Sequence, residues 1–264
     1  MSTTIDKLRR WVAGRDTSVE VSESRGVRLL HLGGDAIQSA IRLSQPDALE
    51  LHYTRAMMGS LLFVPEPRDI LMVGLGGGSI ARFVHARMPA TRMHVVEINP
   101  RVVVAARTYF GLPEDDNRLT VQVADGGDHI PTQVAAADIL LLDAFDDGTA
   151  VKALCAESFY TACYHALRDD GVFVQNFMAD EPNLVRYITR LARVFDRRVV
   201  SMPTGDRVNT MVFGLKRSAR RIAIDELKRR ADSLARRYPL PLAGMVTDLL
   251  ETNERTTSYL KLER

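Results

Sequence analysis

The chain has 264 residues, 46% of them hydrophobic and 26% charged, with a formal net charge of +2. This is the composition of a globular protein long enough for one α/β domain and a small extra element, and its near-neutral charge argues against a nucleic-acid binder. The longest apolar runs, such as Ile139 to Leu142, are strand-sized and far short of a membrane span, so no membrane insertion is expected.

From Met1 to Val12 the chain carries Asp6, Lys7, Arg9 and Arg10 and no apolar core. That is not a secretory signal, and a cytoplasmic protein is expected. Val19 and Val21 then alternate with polar neighbours, Arg25-Gly26 punctuates, Val27 to Leu32 is a second run, Gly33-Gly34-Asp35 a turn and Ala36 to Ile41 a third run. This predicts a small antiparallel sheet. A helix is predicted after Pro46, with Leu49, Tyr53, Met57 and Leu61 on one face, ended by Pro65 and Pro67.

From Asp69 strands and helices alternate. Strands are predicted at Ile70–Val73, Met93–Val96, Leu119–Val123, Ile139–Leu142 and Val172–Gln175. Helices are predicted at Ile80–Met88, Pro100–Phe110, Phe159–Leu167 and Leu184–Phe195. Val199–Met202 and Thr210–Phe213 read as a closing antiparallel pair. The alternation implies a parallel sheet, covered on both faces and wound right-handed. Cys155 and Cys163 are expected on one helix, too far apart for a disulfide there, as buried free thiols. The tail from Ser218 reads as helical, its many Arg and Lys forming a solvated face. The expected division is residues 1–48, 49–216 and 217–264: a small β domain, a nucleotide-binding domain and a helical extension.

Four motifs carry chemistry. Val73-Gly74-Leu75-Gly76-Gly77-Gly78-Ser79 lies at a strand-to-helix junction, where glycines let backbone amides approach a ligand. Glu97, in Val95-Val96-Glu97-Ile98-Asn99, ends the next strand, where a carboxylate accepts from ribose hydroxyls. Asp125, in Ala124-Asp125-Gly126, ends the third; it can accept from the adenine amine, or simply cap a helix. Asp143, Asp146 and Asp147 follow the most apolar strand, an acidic wall suited to a substrate amine.

These motifs resemble the polyamine aminopropyltransferases, the spermidine synthases, over about Val19 to Gly214. The N-terminal Leu-Asp-Gly and Gln of that family stand here as Leu32-Gly33-Gly34-Asp35 and Gln38, and its helical Tyr as Tyr53. The glycine loop matches Gly76-Gly77-Gly78, the Glu-Ile-Asp appears as Glu97-Ile98-Asn99 and the Gly-Asp-Gly as Ala124-Asp125-Gly126. The Asp-Ser-Ser-Asp-Pro loop appears as Asp143-Ala144-Phe145-Asp146-Asp147, followed by Phe159-Tyr160 and a Gly171…Gln175 strand.

The resemblance implies a doubly wound, Rossmann-like S-adenosylmethionine-dependent-transferase sheet behind a small N-terminal antiparallel β domain. It implies decarboxylated S-adenosylmethionine as co-substrate, a small-molecule amine as acceptor, no metal and a homodimer. Gly76, Gly77, Gly78, Ser79, Glu97, Asp125, Gly126 and Gln38 would then bind the nucleotide. Asp143, helped by Tyr53, would deprotonate or orient the amine, and Asp146 would hold the aminopropyl ammonium. The sequence departs from the family where an Asp after the glycines is Ser79 and where Pro203-Thr204-Gly205-Asp206-Arg207 carries no Tyr. Because Ser79 offers no charge to an ammonium, methyl transfer from intact S-adenosylmethionine and a non-catalytic nucleotide binder stay open beside aminopropyl transfer.

Overall fold

The computed structural model describes residues 19–32, 37–146, 149–217 and 219–262. The expected Gly33-Gly34-Asp35 turn, Met1 to Val12, Asp147 and Ser218 lie outside them.

β1 (Val19–Ser24) and β2 (Val27–Leu32) form a hairpin. Arg25 and Gly26 both have positive φ, at 51° and 74°, the primed turn whose twist matches that of paired strands. β3 (Ile37–Arg42) pairs antiparallel to β2, completing a three-stranded sheet.

The helix expected after Pro46 starts later, as α1 (His52–Met57), and tightens into a 3-10 segment at Met58–Leu62. The lead-in stays non-helical, turning at Pro46 and Asp47, and side chains take its carbonyls. Arg55 donates to Leu49 O and Glu50 O, and Arg82 to Pro46 O, at 2.6 to 2.7 Å.

The main sheet has β4 (Asp69–Val73), β5 (Arg92–Glu97), β6 (Leu119–Val123), β7 (Ala137–Leu142), β10 (Leu167–Met178), β11 (Val199–Pro203) and β12 (Asn209–Leu215). Between them come α2 (Ser79–Arg87), α3 (Pro100–Phe110), α4 (Gly126–His129), α5 (Glu157–Ala166) and α6 (Leu184–Val194), with a short β8–β9 ribbon (Phe145–Asp146, Thr149–Ala150) after β7. Strand order is β11-β12-β10-β7-β4-β5-β6. β12 alone runs against the parallel set, pairing antiparallel with both β10 and β11. From β4 the chain winds outward through β5 and β6, then returns to the other side at β7. The switch therefore falls between β4 and β7, where ligands of doubly wound sheets bind.

Alternation along β7 separates two cores. Ile139 and Leu141 face one layer with Met57, Met72, Val95 and Phe213. Leu140 and Leu142 face the other with Tyr160, Phe173 and Phe195. A third cluster, Leu30, Ile41, Ala105 and Phe110, packs the N-terminal sheet on α3.

Three expectations need correction. β10 is far longer than Val172–Gln175, because its pairing with β7 shifts register between Leu167 and Val172, around Asp170 at φ 62°. The slip breaks the strand's period and hides its first half in the sequence. Cys155 and Cys163 do not share a helix: Cys155 closes a 3-10 turn and extended Ala156 separates it from α5, though both thiols are buried and free.

The tail is not all helical either. α7 (Ile224–Ala235) and α8 (Leu242–Thr252) are flanked by β13 (Arg221–Ala223) and β14 (Tyr259–Lys261), which pair antiparallel. Leu227, Leu234, Leu242 and Leu249 of the two helices lie fully buried in the core that contains Met57 and Phe213. Most of the basic residues are exposed as expected, but Arg230 turns inward to donate to Leu62 O at 2.9 Å.

Candidate active site

Four successive strand ends converge around Val73 and Gly74. Gly74 N donates to Val96 O, and Asp143 N donates to Val73 O, both at 2.9 Å. Gly74 has φ 95°, and a Cβ there would stand 2.0 Å from Asp143 O. Only glycine lets the β4 and β7 ends approach this closely. Gly126 closes on the same point, since its Cβ would meet Val73 Cγ1 at 2.5 Å.

Glu97 is 8% exposed at the end of β5. Its two oxygens accept from Leu75 N and Asn99 N, each at 2.8 Å. The carboxylate therefore pins the glycine loop before it meets any ligand, and its remaining acceptor capacity can take a hydroxyl. Burial raises its pKa, and those backbone donors oppose the rise. Asp125 Oδ1 accepts from Gly127 N at 2.7 Å as the N-cap of α4, so the capping reading is realised.

The glycines also serve the protein's own packing. Gly78, at φ 70°, is the left-handed N-cap of α2, and a Cβ on Gly77 would fall 2.7 Å from Ser39 Oγ. Ser79 is 5% exposed. Its hydroxyl meets Ser39 Oγ at 3.2 Å and Ala40 O at 3.4 Å, stitching α2 to β3. Gly76, at φ 54°, lies against the backbone of Gln38. The Gln38 carbonyl accepts from the Tyr53 hydroxyl at 2.8 Å, tying α1 to the N-terminal sheet.

Asp143, just past β7, is partly open. Burial pushes its carboxyl up to about 6, and a 3.0 Å hydrogen bond from Asn176 Nδ2 to Oδ1 restrains the rise. Burial and then the charge of Asp143 hold the Tyr53 phenol well above its ordinary value. The backbone of Asp146 lies in the β8–β9 ribbon; its side chain is outside the described set.

Several residues of this region escaped the sequence reading. Asn176 and Asn209 are buried at the facing ends of β10 and β12, and Asn209 Nδ2 donates to Asn176 Oδ1 at 3.0 Å. Glu181 accepts from Ala150 N at 3.1 Å and so anchors the ribbon after Asp143. The available signal was polarity out of place: Gln175-Asn176 interrupts the apolar run from Val172 to Met178. Among the described residues no group of three or more His, Cys, Asp or Glu converges as a metal site.

Fold and site together define a doubly wound α/β protein with Glu97, Asp125 and Asp143 at the carboxyl ends of β5, β6 and β7. The spermine/spermidine synthase domain matches residues 50–204. A polyamine aminopropyltransferase of Chromobacterium violaceum is 39% identical over 92% of this chain and 93% of its own. The chain belongs to the spermine/spermidine synthase family. Among solved structures, a probable spermidine synthase from Corynebacterium glutamicum superposes with TM-score 0.70 at 19% identity, over 90% of this chain and 94% of that one, and shares the fold. Human methyltransferase-like protein 13, solved with SAH, gives 0.65 at 26% identity over 72% of this chain and 94% of that one.

Proposed function

We propose that the chain transfers an aminopropyl group from decarboxylated S-adenosylmethionine to a small di- or polyamine. Family membership supports the reaction type, and the observation that carries the residue assignment is Asp143. It is a half-buried carboxylate at the switch point, with Tyr53 beside it and the glycine loop against its backbone. In the reaction the acceptor nitrogen attacks the aminopropyl carbon next to the sulfonium. The carbon–sulfur bond breaks, its electron pair returns to sulfur, and methylthioadenosine leaves. Positive charge moves from sulfur to nitrogen. An ionised Asp143 accepts an N–H of the amine, turns its lone pair toward the carbon, and stabilises the charge as it arrives. Glu97 takes the ribose hydroxyls, Asp125 the adenine amine, and the loop Gly76-Gly77-Gly78 lets the nucleotide lie close to the backbone. Asp146 holds the aminopropyl ammonium. We read the enzyme as a cytoplasmic homodimer using no metal.

Ser79 supports a second reading, methyl transfer from intact S-adenosylmethionine. No acid stands at that position, and its hydroxyl is engaged with Ser39 and Ala40 O. The acidic wall after β7 suits an amine acceptor, and aminopropyl transfer is the conclusion. The test is turnover of both nucleotides against a panel of di- and polyamines. Aminopropylated amine from the decarboxylated form alone supports it. Methylated product from the intact form overturns it.

A further inference from the structure

Asn176 and Asn209 stand close together on neighbouring strands, in a sheet whose buried side chains are mostly apolar. They are 3% and 8% exposed. A buried primary amide must satisfy two donor hydrogens and a carbonyl, so its presence here needs a reason. The hydrogen bonds run in one direction. Asn209 Nδ2 donates to Asn176 Oδ1 at 3.0 Å, and Asn176 Nδ2 donates to Asp143 Oδ1 at 3.0 Å. Asn209 cannot readily slide, because its backbone N donates to Thr204 Oγ1 at 3.0 Å and its carbonyl accepts from Thr204 N at 2.9 Å. Thr204 Oγ1 in turn meets Asp206 Oδ1 at 2.6 Å, which fixes the one hydroxyl hydrogen toward that carboxylate.

We infer that Asn176 and Asn209 form a two-amide relay that positions the Asp143 carboxylate, with Asn209 acting only through Asn176. The ionised Asp143 carboxylate can only accept, so the Asn176 amide shows it the NH2 and turns its oxygen to Asn209, whose NH2 holds it there. Among the described residues Asn176 is the sole side chain hydrogen-bonded to Asp143, so one carboxylate oxygen is held and the other is left for the acceptor nitrogen. An amide donor favours the ionised carboxylate, and an amide turned the other way would set oxygen against oxygen. Among the described residues the other ionisable groups facing Asp143 are Glu97 at the end of β5 and Tyr53 on α1, which the relay leaves untouched.

The role of Asp143 in transfer rests on the function proposed above; the relay itself is tested without turnover. The measurement is the pH titration of the Asp143 carboxyl by carbon NMR on aspartate-labelled protein, assigned with Asp143→Asn. Asn176→Leu removes the donor and raises the Asp143 pKa by about one pH unit, a tenfold gain in proton affinity. Asn209→Leu leaves Asn176 in place but releases its orientation, and moves the titration in the same direction by a smaller amount. Asn209→Ser, which restores a donor, brings it back toward wild type if Asn209→Leu folds poorly. Methylthioadenosine affinity stays within twofold throughout. An Asp143 titration unchanged in folded Asn209→Leu or unchanged in Asn176→Leu overturns the relay. Turnover by the same wild-type sample decides the proposed function separately, since its absence would leave the titration result standing.

Discussion

Burial raises the Asp143 carboxyl to about 6 while Asn176 restrains it, and both activity and stability follow from that balance. Only the ionised form can stabilise charge on the acceptor nitrogen, so kcat/KM should climb as pH rises through about 6. Asp143→Asn keeps the bond from Asn176 and should cut kcat by about 10²- to 10⁴-fold. Stability moves the opposite way. A carboxyl whose folded pKa lies above its unfolded value favours the fold fully only below the unfolded value, and that contribution is lost as pH rises through about 6. At pH 7.5 Asp143→Asn should therefore be more stable than wild type by about 2 kcal/mol, about 5 °C in Tm, with the gap shrinking by pH 4.5. Parallel melts at the two pH values check this; a gap that grows toward acid would contradict it. Glu97→Gln should weaken methylthioadenosine by about 10- to 100-fold by calorimetry, with the fold retained. Unchanged affinity would take Glu97 out of the ribose site. The acids themselves were legible because each follows closely on the end of a predicted strand. The amides Asn176 and Asn209 were not, because their meaning depends on the pairing of β10 with β12, and single-strand patterns carry no pairing partner.

At the scale of elements, the strand–loop–helix from β4 to α2 shows why glycine spacing is readable but ambiguous. The sequence places glycines where a nucleotide would approach, yet Gly74, Gly77 and Gly126 also stand where a Cβ would strike the protein itself. Gly74→Ala must displace Asp143 O from 2.0 Å in an already left-handed backbone, so it should abolish nucleotide binding and cost several kcal/mol, on the order of 3 or more. Gly111 has a similar φ of 65° but open space around it, and Gly111→Ala should cost only about 1–2 kcal/mol, with binding intact. Chemical denaturation and calorimetry on the pair separate steric approach from backbone strain; equal losses would contradict the account. Strands β4 to β7 and helix α3 were legible because their apolar runs have clean ends, such as Pro100 and Gly111 around α3. The non-helical lead-in to α1 was not, because it is fixed by Arg55 and Arg82 reaching back to its carbonyls.

For the whole molecule, the doubly wound order follows from alternating strands and helices, while the tail's place does not. Nothing local says that Leu227, Leu234, Leu242 and Leu249 complete the layer over Met57 and Phe213. Leu249→Ala should cost about 2–5 kcal/mol, as expected of a core leucine rather than of a separate appendage. A change below about 0.5 kcal/mol by urea denaturation would contradict that packing. The central claim is that the acid at the β4–β7 switch drives alkylation of an amine. Its most direct test is mass spectrometry of wild type and Asp143→Asn, each given decarboxylated S-adenosylmethionine and a putrescine-type diamine. The account predicts aminopropylated amine and methylthioadenosine in equal amounts from wild type, and at least about a hundredfold less of both from the variant. A methylated product, or a variant that matches wild type, would contradict it.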